Sequence, residues 1–129
     1  MKLSVTISLL LCAGIVLLGW TSCTQNNDNP DYLDVDCSAI DPNQNTYSLS
    51  IKNILDATCA LSGCHDAATQ SNGVNLSSYT GAKAAFETGK ALCAINHGNG
   101  CQPMPKNGQK LPDGVIRILS CWAKNGFQQ

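Results

Sequence analysis

Two thiols and an imidazole stand together in Cys59-Ala60-Leu61-Ser62-Gly63-Cys64-His65. A Cys-His dipeptide with a second Cys just upstream is the donor set of covalent haem: the thiols bond the vinyl groups and the adjacent imidazole becomes an axial iron ligand. The usual spacing places two residues between the cysteines, whereas this chain has four. On a regular helix a five-residue step rotates the second thiol by about 140°. Both sulfurs then reach one porphyrin edge only where the chain leaves helical geometry, and Ser62-Gly63 is the predicted break. The same atoms allow two other chemistries. One is a local disulfide between Cys59 and Cys64. The other is a zinc site built from Cys59, Cys64, His65 and His97, which an oxidising compartment disfavours.

A further sulfur lies downstream. Met104 is the sole Met after Met1 and sits between Pro103 and Pro105. Proline on each side restricts the backbone and suits a thioether held toward a metal. A soft sulfur opposite an imidazole favours reduced iron and raises the potential; the other common use of a Met is to plug a gap in a small core. His97, between Asn96 and Gly98, reads as a loop or capping residue, with a second reading as distal ligand in place of Met104. No general base, nucleophile or phosphate-binding loop is evident, so the sequence predicts no enzyme.

The elements that must position these groups are short and helical. Ile51, Ile54, Leu55 and Cys59 recur with helical spacing, with Ser48 or Ser50 as N-cap, so an amphipathic helix runs into the first Cys. Gly73 to Tyr79 reads as extended or irregular, Ala82 to Glu87 as a short helix after Gly81, and Lys90 to Ile95 as another. Gly98-Asn99-Gly100 and Pro103 to Gly108 make a long loop. The last helix opens at Pro112-Asp113, carries Val115, Ile118, Leu119 and Trp122 on one face, and closes at Lys124-Asn125-Gly126. The predicted class is all-α with long loops.

The chain has 129 residues with eight Cys, seven aromatics and two Met, enough for one small domain and too little for a multidomain enzyme. Lys2 and the apolar run from Leu3 to Trp20 have the layout of a secretory signal over residues 1–22. Leu17-Leu18-Gly19-Trp20-Thr21-Ser22-Cys23 resembles a bacterial lipoprotein cleavage box, with Cys23 as the lipidated residue and Trp20 where an aliphatic residue is usual. Residues 23–45 read as a polar linker and 46–129 as the folded domain. The linker holds Asp28, Asp31, Asp34, Asp36 and Asp41, whereas 46–129 carries seven basic against four acidic side chains, a net charge of +3. Near-neutral overall charge argues against nucleic-acid binding through phosphate neutralisation.

Exported cysteines meet an oxidising environment. With Cys12 and Cys23 set aside and Cys59 and Cys64 beside His65, four remain. Cys37, Cys93, Cys101 and Cys121 allow three pairings; the favoured one joins Cys93 to Cys101 across a short loop and Cys37 to Cys121, tying the linker to the last helix.

Residues 46–129 resemble a single-haem, class I type cytochrome c domain of the bacterial envelope. The likeness rests on the helix entering Cys59…Cys64-His65, on Gly73, Leu76 and Tyr79, on Met104-Pro105 with Gly108, and on the closing helix with Trp122 and Asn125-Gly126. It implies an all-α fold whose first and last helices cross. It further implies one covalent haem c attached at Cys59 and Cys64, with His65 as proximal and Met104 as distal iron ligand. The expected role is a lipid-anchored carrier of single electrons between envelope redox proteins, in the periplasm or at the outer membrane. A porphyrin would also supply apolar volume, so that helices pack around it rather than against each other. The competing expectation is a haem-free, disulfide-stabilised structural or interaction lipoprotein with the same fold.

Overall fold

A computed structural model describes residues 34–129. The expected signal segment, Cys12 and the expected lipidation site Cys23 lie outside the described residues. Among those described there are helices and turns and no strand, and no helix is long and apolar enough to cross a membrane.

The first helical unit starts earlier than the periodicity suggests. A π-helical turn, Tyr47–Ile51, leads without a break into α1, Lys52–Thr58. Its N-cap is Thr46 rather than Ser48 or Ser50: the Thr46 hydroxyl accepts from the Leu49 amide. Tyr47 and Ile51, four residues apart on one face, are both buried in the core. Helix α1 ends at Cys59, whose amide donates to the Leu55 carbonyl.

Helix α2, Tyr79–Glu87, is capped by the Ser78 hydroxyl, which accepts from the Gly81 amide. Gly81 therefore lies inside the first turn of α2 rather than before the helix. A side chain there would collide with the Asn75 carbonyl, so the helix start packs against the preceding segment only because this residue lacks a β-carbon. Helix α3, Lys90–Ile95, has the bounds the sequence predicts, and α4, Asp113–Lys124, likewise.

The C-terminus of α4 closes in a Schellman arrangement. The Phe127 amide donates to the Trp122 carbonyl and the Gly126 amide to the Ala123 carbonyl. Gly126 supplies the left-handed residue at φ 82° that this cap requires. The accompanying apolar contact is a perpendicular pair of rings, Trp122 and Phe127, with centroids 5.0 Å apart.

Trp122 is the centre of the core. It is fully buried and meets Tyr47 at 6.2 Å and Phe86 at 5.8 Å, while Tyr47 meets Tyr79 edge-on at 5.5 Å. Ile51, Leu55, Leu76, Leu92, Ile95 and Leu119 fill the space around these rings. The helices thus pack against each other through an aromatic cluster, contrary to the expectation that they lack the bulk to do so. The cause is spacing: five aromatics scattered between positions 47 and 127 converge on one point, which composition cannot reveal.

The chain end completes this half of the molecule. The Gln128 carbonyl accepts from both the Tyr47 amide and the Trp122 indole at 2.8 Å, and the Phe127 carbonyl accepts from the Tyr79 hydroxyl at 2.8 Å. The Tyr47 hydroxyl, by contrast, is buried with no hydrogen-bond partner among the described residues, and burial pushes its pKa above the ordinary value.

Residues 34–45, read from the sequence as the end of a polar linker, lie against α4. Cys37 is bridged to Cys121, the Lys124 ammonium donates to the Val35 carbonyl, and the buried Asn45 amide donates to the Ile118 carbonyl. Covered on this side as well as the core side, α4 buries Ile116, Ser120, Cys121 and Ala123 beyond the predicted stripe, while Val115 and Ile118 are only partly buried. Three of the domain's basic residues pair with acids one turn away, Lys52 with Asp56, Lys83 with Glu87 and Lys110 with Asp113, all at exposed positions where such pairs add little.

Candidate functional site

Helix α1 delivers Cys59 to the edge of the core, and the chain leaves helical geometry there, at the first thiol. The following turn returns on itself. The Cys64 amide donates to the Leu61 carbonyl and the His65 amide to the Cys59 carbonyl, with Gly63 in the left-handed region at φ 81°. The expected break between the two cysteines is therefore present, and it extends through the whole intervening segment. Further hydrogen bonds anchor the segment downstream. The Ser71 amide donates to the Cys64 carbonyl, the Leu76 amide to the His65 carbonyl, and the Gly63 amide to the Thr69 hydroxyl. Asp66, next to His65, caps a turn by accepting from the Thr69 amide at 2.7 Å; the Thr69 hydroxyl and then that amide hold its carboxyl below the ordinary value.

The two thiols differ in environment. Cys59 is half-buried against the core and within 3.2 Å of the Thr58 hydroxyl, whereas Cys64 is exposed. Burial pushes the Cys59 thiol up, and the contact with Thr58 opposes that shift in part. Both are free. The other four described cysteines are bridged, Cys37 to Cys121 and Cys93 to Cys101, the pairing favoured from the sequence.

His65 is held by one nitrogen. Its Nδ1 lies 3.2 Å from the Val74 carbonyl, an acceptor, so Nδ1 donates and Nε2 is left outside that bond. A backbone carbonyl on the far nitrogen is the usual way of orienting a ligating imidazole and raising its basicity.

Met104 packs at the core margin, in the loop between α3 and α4. Its amide donates to the Ala94 carbonyl at 3.0 Å, and its carbonyl accepts from His97 Nε2 at 3.1 Å. His97 and Met104 are thus brought together, with the imidazole bonded to the Met backbone. The zinc arrangement is not assembled: among the described residues no three His, Cys, Asp or Glu side chains gather as metal donors. Sequence reasoning missed the carbonyls of Val74 and Ala94, since backbone atoms leave no signal in residue types.

The residues present fit a covalent haem by donor chemistry. Two free thiols precede an imidazole whose Nδ1 is bonded to a backbone carbonyl, and a thioether lies at the margin of the same core that Cys59 touches. Compared with protein-family models, curated proteins and solved structures, the chain matches none.

Proposed function

We propose that this chain is an exported, lipid-anchored c-type cytochrome that binds one covalent haem and carries single electrons between envelope redox proteins. The observation that carries the reading is the partition of the thiols. Of the six described cysteines, the two left free are those that precede His65. A haem c attached there supplies one-electron iron chemistry. Cys59 and Cys64 would hold the porphyrin through two thioether bonds. His65, oriented by the Val74 carbonyl, offers Nε2 as proximal ligand, and Met104 offers its thioether as distal ligand. If both His65 and Met104 ligated the iron, no position would be left open for a small molecule, which would favour electron transfer. The class I type fold and the envelope location belong to the same proposal.

One observation favours a second reading, a haem-free structural or interaction lipoprotein: the core closes on itself around Trp122. Expression of the full chain with haem-attachment machinery separates the two. The carrier reading expects a haem spectrum that stays with the polypeptide through acid-acetone extraction and disappears in Cys59→Ala/Cys64→Ala. A colourless product with Cys59 joined to Cys64 overturns it.

A further inference from the structure

The loop holding Met104 lacks regular structure, and its internal backbone bonds, Cys101 to Gly98 and Gly108 to Pro105, are local. A neutral thioether is a weak ligand, so the entropy of ordering this loop must be met largely by the protein itself. The structure shows where that ordering comes from. Both backbone polar groups of Met104 are bonded to the segment closed by the Cys93–Cys101 bridge, whose α-carbons are 6.0 Å apart. The Met104 amide donates to Ala94, one residue inside the bridge, and its carbonyl accepts from His97, at the middle of the bridged segment. The Ala94 carbonyl also accepts from the His97 amide at 3.1 Å, so the three residues form one connected set. Because a carbonyl only accepts, His97 Nε2 carries the proton and is committed to Met104. His97 adopts φ 55°, a left-handed conformation uncommon outside Gly, Asn, Asp and His.

We propose that the Cys93–Cys101 segment is a two-point clasp on Met104, with His97 as a positioning residue for the thioether and not itself an iron ligand. This rests on the reading of Met104 as distal ligand. The clasp gives a short bridge that starts within α3 a role: it fixes the backbone from which the ligand projects.

The test compares full-length wild type, His97→Asn, His97→Gln and Cys93→Ser/Cys101→Ser. Asn tolerates the left-handed backbone but is too short to reach the Met104 carbonyl; the longer Gln amide reaches it. Two quantities are read: hydrogen exchange at the Met104 amide, with or without haem, and the ferric methionine-to-iron charge-transfer band of the loaded protein. The clasp expects Met104 exchange to rise by about tenfold or more in His97→Asn and in the double Ser variant. It expects the band to weaken in the same two, and both readouts to recover in His97→Gln. Unchanged Met104 exchange and an unchanged band in His97→Asn overturn the clasp. A loaded wild type without the band overturns the distal-ligand reading instead, so the two failures are distinguishable.

Discussion

The Trp122 half of the molecule and the Cys59–Val74 segment are held by different forces. Around Trp122, buried rings supply the attraction, and the carbonyls of Phe127 and Gln128 satisfy the Tyr79 hydroxyl and the Trp122 indole. From Cys59 to Val74 most side chains are exposed, and the path of the chain is set by its own backbone bonds, by Thr69 and by Asp66. The difference teaches that stability and reactive groups are largely separable here. A segment held by local hydrogen bonds can present two thiols and an imidazole without drawing on the core for its shape.

Substitution at Trp122 is the strongest way to break that separation. Trp122→Ala removes the side chain that meets Tyr47, Phe86 and Phe127 and is expected to cost about 3–5 kcal/mol, read from the denaturant midpoint. A loss below about 1 kcal/mol would show that the cluster does not carry the fold. The two tyrosines sharpen the comparison within the core. Tyr79→Phe deletes the hydroxyl that donates to Phe127 and should cost about 1 kcal/mol. Tyr47→Phe deletes a buried hydroxyl without a partner and should be neutral or slightly stabilising. Equal losses in the two would refute the assignment of their hydroxyls.

The smallest stability effect is expected in the exposed segment. Cys64→Ala in haem-free protein should stay within about 0.5 kcal/mol of wild type. Alkylation then separates the thiols: Cys64 reacts first, being exposed. Burial raises the Cys59 pKa, so its reactive thiolate is scarcer at any given pH, and its rate should still be climbing above the ordinary thiol value of 9.0. Equal rates at the two sites, levelling together near that value, would count against the half-buried position of Cys59.

Much of this architecture is legible in the sequence. The bounds of α3 and α4 follow from periodicity and from the Asn125-Gly126 stop, and the two bridges are the favoured one of the three pairings that four cysteines allow. The π-helical turn does not, because it differs from an α-helical start in its backbone bonds and not in its residue types, and the Thr46 cap is masked by two nearer serines. The aromatic cluster was hidden because it is assembled from single residues far apart in the chain. At the site, the residue types gave the thiols, His65 and Met104 as candidates. The hydrogen bonds that orient them come from the main chain at Val74 and Ala94, where any side chain would have served.

The bridge from Cys37 to Cys121 also has a mechanical meaning. It spans 84 positions, so tension applied to the chain before residue 37 and after residue 121 passes across one covalent bond. Everything between, including α1, the Cys59–His65 turn and the Met104 loop, hangs outside the load path. Trp122, Phe127 and Gln128 lie beyond the bridge, so a pull on the far side reaches the aromatic core before it reaches the bond between Cys37 and Cys121.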